Sequence, residues 1–204
     1  LSLIPGVRYD RYDLAATVDS LLDGTNTVEG YGYPVRDFDD GKFSLSVGAI
    51  YDIDESYSLF AQYAEGYRPP NFNESNQAFA NLAYRYAVVP NPDIRAETSK
   101  SFEFGLRADY ENAYLSVSAF RNSYKDFISS NYIGRSGAVS LYQNRNIDDV
   151  EVHGAEATAF LYLGENWRMR SSIAYAMGRD QETSQHLDSV DPVNLINSLR
   201  YDSN

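Results

Sequence analysis

Residues able to do chemistry are scarce in this sequence. Its 204 residues hold no cysteine and only two histidines, His153 and His186. Without cysteine there is no thiolate metal site, no disulfide and no thiol nucleophile. No Ser/His/Asp constellation, phosphate-cradling glycine loop or zinc-type spacing occurs, so an enzyme is not expected. The run "RDFDDGK" sets Asp37, Asp39 and Asp40 before Gly41. It lacks the bidentate Glu of a full calcium loop and reads as an acidic turn. Two arginines stand out by their neighbours. Arg68 lies in "EGYRPPNFNE" and Arg95 in "NPDIRAE". An Arg fork can hold an anionic group in bidentate fashion, or pair with a nearby carboxylate such as Glu65, Glu74 or Glu97.

These segments must be positioned by strands. Apolar residues make up 43% of the chain, with 18 Tyr and 10 Phe against one Trp. Abundant tyrosine favours sheets and suits surfaces apolar at one end and wet at the other. The net charge of -12 excludes the basic face that nucleic-acid binding needs. No run of about 18 apolar residues is present, which removes a transmembrane helix but not a membrane strand.

Hydrophobic periodicity is two almost throughout. "KFSLSVGAIYD" puts Phe43, Leu45, Val47, Ala49 and Tyr51 on one face; "SYSLFAQYAEG" and "KSFEFGLRADY" do the same with Tyr57–Tyr63 and Phe102–Tyr110. This predicts an all-β, antiparallel, up-and-down sheet of about eight strands, many longer than soluble strands usually are, and no helix. The connections sort by length. Ile53–Glu55, Glu111–Ala113 and Gly164–Asn166 are short. Leu14–Lys42, Arg68–Thr98, Ser129–Asp148 and Gln181–Pro192 are long. In an up-and-down sheet all short turns then share one end and all long loops the other, the asymmetry of outer-membrane barrels. Tyr57, Tyr63, Tyr67, Tyr110, Tyr114, Trp167 and Tyr175 are expected to form interfacial girdles. The alternative on pattern alone is a soluble β-domain that binds protein or carbohydrate through Tyr-rich loops.

The two proline segments carry a resemblance. "GYRPPNFNE", with Tyr67, Arg68, Pro69 and Pro70, resembles the FRAP box of TonB-dependent outer-membrane receptors. "NPDIRAETS", with Asn91, Pro92, Asp93 and Ile94, resembles their NPDL box. "LIPGVRYDRYD", "SAFRNSYKDFI", "NRNIDDVEVHGAEATA" and "LDSVDPVNLINSLRYD" look like further strands of such a receptor, in order. The resemblance implies that residues 1–204 are part of a 22-stranded barrel, a fragment without the plug domain. It implies the outer membrane of a Gram-negative bacterium, outer-membrane lipid around the barrel, and coupling to the TonB complex through an N-terminal region missing here. Glu103, Arg107, Glu156, Arg168, Arg170 and Arg200 are then expected to face the lumen.

The frame looks most like the haem and haemoglobin branch, so the implied cargo is haem, free or from a haemoprotein. A ferric siderophore or cobalamin is the alternative. No permanently bound cofactor is implied. Members of that branch carry a histidine between the two boxes, whereas Asn71–Pro90 has none. Candidate ligand-binding residues are therefore Tyr67, Tyr84 and Tyr86, whose phenolates can bind ferric iron. Arg68 and Arg95 could meet carboxylates of the cargo, and His186 lies in a long loop at the same end. His153 is expected to point outward near the rim and is not a candidate.

Overall fold

The computed structural model describes residues 1–17, 25–28, 31–187 and 190–202, and only the backbone of 25–28 and 31–34. Eight strands form one antiparallel sheet in chain order. They are β1 (Ser2–Leu14), β4 (Phe38–Asp52), β5 (Tyr57–Arg68), β8 (Glu97–Tyr110), β9 (Ala113–Ser136), β10 (Val139–Leu163), β11 (Trp167–Asp180) and β12 (Val193–Tyr201). A separate hairpin, β2 (Thr25–Val28) with β3 (Tyr31–Pro34), lies between β1 and β4. Between β5 and β8 come a short helix α1 (Phe72–Asn76) and strands β6 (Phe79–Asn81) and β7 (Tyr86–Val88). The sheet is open: β1 pairs only with β4, and β12 only with β11.

The period of two places side chains as expected. Leu3, Val7, Phe43, Leu45, Val47, Phe102, Phe104, Ile173 and Leu195 share one face through the cross-strand register, and all stay exposed, Val7 at 69% and Phe104 at 58%. The opposite face is polar. Among the described residues the buried apolar set is small: Ala87, Val89, Ile94, Ala108, Ile128, Val139 and Val150. A soluble sheet of this size would bury its Phe/Leu/Val face. Here that face is uncovered, and the backbone ladder, not a core, joins the strands. This is the arrangement of a wall whose apolar side meets lipid.

Outward aromatics gather at the short-turn end. Tyr57 packs edge-on against Tyr110 with hydroxyls in contact, and the Trp167 and Tyr201 rings lie 4.9 Å apart. Tyr114 departs from the expected girdle. It sits on the polar face against Phe160, 5.9 Å between ring centroids, because its strand phase is that of Ser116 and Ser118. Glycines complete this face. A Cβ on Gly105 would meet the Phe60 ring at 2.6 Å, and one on Gly154 the Phe120 ring at 2.8 Å. Each pair is directly opposed across strands, so the ring covers backbone that a side chain would otherwise occupy.

Two expectations fail at the long-loop end. Ser129–Asp148 is not a loop. β9 and β10 run on for 24 and 25 residues and pair up to Ser136 and Val139, turning at Gly137. Val, Ile and Tyr in this stretch carry strand propensity that the intervening Asn, Ser and Gly masked. And the bracket between the prolines holds a helix, where none was expected. The other two long connections contain 18–24, 29–30 and 188–189, which lie outside the described residues.

Candidate functional site

The proline bracket starts where β5 must stop, since neither Pro69 nor Pro70 can donate to a ladder. Asn71 then caps α1. Its Oδ1 accepts from the Glu74 N–H at 2.9 Å, and Glu74 Oε2 accepts from the Asn71 N–H at 2.9 Å. This reciprocal pair is a capping box, which makes a five-residue helix worth forming. The pattern Asn-x-x-Glu was visible in the sequence and is the signal that the strand-based reading missed.

Arg68 is the pin of the first box. Its Nη1 donates to both Glu74 oxygens at 2.8 and 3.0 Å, and its Nη2 to Glu97 at 2.9 Å. Glu97 is 8% exposed and also accepts the Ile128 N–H at 3.2 Å. One guanidinium thus ties the end of β5, the start of α1, the start of β8 and, through Glu97, β9. Arg95 does the same for the second box. Its Nε donates to Asp126 at 2.8 Å, and its Nη2 reaches both Asp126 and Asp148, the latter at 3.2 Å. Asp126 holds φ at +56° to present that carboxylate.

Asparagines complete the clasp by reading backbone. Asn76, fully buried, accepts the Arg36 N–H at 2.9 Å and donates to the Arg36 carbonyl at 3.0 Å. Asn146 treats Arg95 the same way, at 2.8 and 3.0 Å. Asn91 donates to the Asn144 carbonyl at 2.8 Å and accepts the Asp93 N–H at 3.2 Å, turning the chain at Pro92. Asn144 donates to the Glu74 carbonyl at 3.2 Å, and Gln143 to that of Pro90 at 2.8 Å. Each bond satisfies a backbone group that the loop's own short strands leave unpaired. Ile94, 4% exposed, packs under the second box. None of Asn76, Gln143, Asn144 or Asn146 was a sequence candidate, since a lone Asn in a loop carries no pattern.

β7 joins the elongated β9–β10 hairpin as a parallel neighbour of β10, and β6 pairs with β7. One face of this small sheet is the molecule's compact core: Ala87, Val89 and Val139, with Ala78, Ile133 and Leu141 against them. The other face is open. A hollow of about 450 Å³ there is lined by Tyr84, Arg85, Tyr86, Val88, Ser130, Ser140 and Tyr142.

The sequence candidates therefore separate. Tyr84, 80% exposed, and half-buried Tyr86 meet at the open hollow. Arg68 and Arg95 lie in the clasp, engaged with carboxylates. Tyr67 is half-buried at the end of β5, its enclosed hydroxyl lacking a hydrogen bond of normal geometry although Asp40 lies beside it. His186 is exposed and bridges to the backbone of Arg179, away from the hollow's lining. His153 stands on the outward face, 48% exposed, its Nδ1 3.5 Å from Glu151, which also pairs with Arg121. Asp37 and Asp40 are engaged by the backbone N–H groups of Ala16 and Gly41, and Asp39 by Arg11. No group of three or more His, Asp or Glu able to hold a metal ion occurs among the described residues.

The residues expected to face the lumen lie together on the polar face. Glu103 and Glu156 line a polar hollow of about 310 Å³ with Gln62, Ser101 and Asn122. Arg107 stacks on Phe60 at 4.4 Å and Arg170 on Phe160 at 5.3 Å. Arg168 and Arg200 both pair with Asp202.

Known proteins agree with this architecture. The chain is 25% identical over 195 residues to a probable hemoglobin and hemoglobin-haptoglobin-binding protein of Haemophilus influenzae, covering 87% of this chain and 19% of that protein. It is 25% identical over 221 residues to a hemin receptor of Yersinia enterocolitica, covering 98% of this chain and 30% of that one. The chain thus spans between about a fifth and a third of the length of these relatives. Its fold matches that of the copper transporter OprC with a TM-score of 0.75 at 24% identity, covering 99% of this chain and 30% of that one. Residues 1–203 match the family model "TonB dependent receptor-like, beta-barrel", and the chain belongs to that family.

Proposed function

We propose that the chain is part of the barrel of an outer-membrane receptor that takes up haem, free or delivered by a haemoprotein, with TonB as its energy-coupling partner. The observation that carries this reading is similarity along almost the whole chain to proteins named as haemoglobin-binding and hemin receptors. The fold supports it. An uncovered apolar face suits outer-membrane lipid, and the long-loop end, with its clasped bracket, then faces outside the cell. The soluble β-domain reading does not fit that face. The chain's role is binding and passage of cargo, not catalysis.

Within this reading Tyr84 and Tyr86 are the bracket's donors for ferric iron, replacing the histidine that the bracket lacks. His186 is a more distant third. We assign Arg68 and Arg95 to the clasp, because their guanidinium groups are already paired with Glu74, Glu97, Asp126 and Asp148. The missing histidine also favours a second reading, a ferric siderophore, whose chelate supplies its own iron ligands. The test is titration of the full-length receptor with hemin while following the Soret band, beside growth on haemoglobin as iron source with and without TonB. A shifted Soret band and TonB-dependent growth are expected. No shift, with tight binding of a ferric siderophore instead, would overturn the haem reading.

A further inference from the structure

The open face of the small sheet β6–β7–β10–β9 has a composition unlike the rest of the chain. Phe79 is opposed to Val88, Val88 to Tyr142 and Tyr142 to Tyr132. These four residues form one row straight across four strands. At ordinary strand spacing the row is about 14 Å wide. Its rings are in contact: Tyr132 and Tyr142 at 5.8 Å, and Phe79 with Tyr86 at 6.0 Å. They are nonetheless uncovered, Phe79 at 43% exposure and Tyr132 at 56%. At the sheet's end the β6–β7 turn adds exposed Leu82 and Tyr84. Because the face opposite already holds the compact core, this row is not needed to stabilise the module.

Charge is segregated as sharply. The chain carries a net charge of -12, yet 77–92 and 127–147, which build this sheet, contain Arg85, Arg135 and Arg145 and no Asp or Glu. All three arginines are exposed. Their charges have no acidic neighbour within these segments, whereas Arg68 and Arg95 are fully matched. A broad row of aromatics with Arg85 and Arg135 on the same face has the make-up of protein-interface hot spots. The row is wider than a small-molecule site: the hollow takes up only its Val88–Tyr142 centre, and Phe79 and Tyr132 lie outside the hollow's lining.

We propose that this face docks a carrier protein, by an apolar ridge on that protein flanked by carboxylates. The proposal rests on the reading that cargo reaches the receptor on a haemoprotein. It separates two jobs at the long-loop end. The rim of the face, with Phe79, Tyr132 and Arg135, holds the carrier, and the hollow at its centre meets the released haem. Opposite charge raises the rate of encounter, and the desolvated aromatic row sets the lifetime of the complex.

The experiment uses the full-length receptor in lipid nanodiscs, with haemoglobin and hemin as separate probes. Tyr132→Ser, at a position outside the hollow's lining, should weaken haemoglobin binding about tenfold, chiefly through faster dissociation. Arg135→Glu, also outside that lining, should slow association severalfold at low salt and little at high salt. Hemin affinity should be unchanged in both, and Tyr132→Phe should behave as wild type, which separates lost contact from misfolding. The proposal is overturned if haemoglobin binding survives both variants, or if hemin affinity falls in step, because the rim would then serve haem and not the carrier. It is also overturned if a cysteine placed at Tyr132 resists an impermeant maleimide in the intact receptor, because the face is then covered by the receptor's own chain. A wild-type receptor that binds neither probe overturns the cargo reading itself, and this partner with it.

Discussion

The strand wall and the bracket clasp are held together by opposite means. In the wall, large apolar side chains are exposed and the strands cohere through continuous ladders; β9 and β10 alone pair over more than twenty positions. In the clasp, strands β6 and β7 have three residues each, and order comes from single side chains bonded to backbone. The wall needs lipid to satisfy its apolar face and no unique side chain to satisfy its backbone. The clasp needs no lipid, but every one of its polar groups must find one particular partner. The chain therefore combines a redundant scaffold with a module in which individual residues are decisive.

The strongest way to break the wall is to put charge on its lipid side. Phe104 lies centrally on the outward face of β8. Phe104→Arg should cost about 4 kcal/mol, the upper end for a cation at the bilayer midplane, read as a shift of the urea midpoint for folding into vesicles. Its neighbour Glu103 points the other way, into the polar hollow. Glu103→Gln should leave that midpoint unmoved. If both substitutions act alike, the assignment of faces is wrong.

The clasp should answer to a different residue. Glu97→Ala removes the most shielded partner of Arg68 and leaves the Ile128 N–H unpaired. Because Arg68 is half-exposed and keeps Glu74, the main cost is the buried Ile128 N–H left without its charged acceptor, about 3 kcal/mol. The loss should be local. Hydrogen exchange should quicken in α1 and β7 while β10 below Val150 keeps its protection. Uniform loss across β10 would mean that wall and clasp unfold as one.

Asn146→Ala probes the same contrast one step lower. It strips both backbone groups of Arg95 of their partner and removes a donor to the Asp126 carbonyl. Water can reach part of this site, so the expected cost is about 2 kcal/mol. It should appear as faster exchange at 93–96, with no change in the vesicle-folding midpoint.

What the sequence disclosed follows the same division. Period two runs through the wall strands, so the sheet, its direction, the short turns at one end and the polar-face set Glu103, Arg107 and Glu156 were legible. Tyr114 was not, because an aromatic on the polar phase of a strand was read by type and not by position. The clasp was legible only in outline. The prolines showed where β5 ends and β8 begins, but the β9–β10 extension is rich in Asn, Ser and Gly, which read as loop. Asn76, Asn144 and Asn146 have no local signature, since their partners lie 40 to 70 residues away in sequence. The one local signal, Asn71 with Glu74, was hidden by the expectation of strands.

The weakest test concerns ion pairs in water. Asp202, at the short-turn end, is held below the usual carboxylate range by hydrogen bonds from Arg200 and then Arg168. A carboxyl depressed in the folded state stabilises that state once pH exceeds its unfolded value near 4. The contribution fades as pH falls through the lowered folded value. Wild type and Asp202→Asn should therefore differ slightly at neutral pH and converge below about pH 4. Because this pair is exposed, added salt should erase the difference even at neutral pH. Glu97→Ala should respond far less to salt, its carboxylate being shut away from ions behind Arg68 and Ile128. Equal salt sensitivity of the two variants would show that the clasp is as wet as the wall's rim, and the contrast between them would then rest on geometry alone.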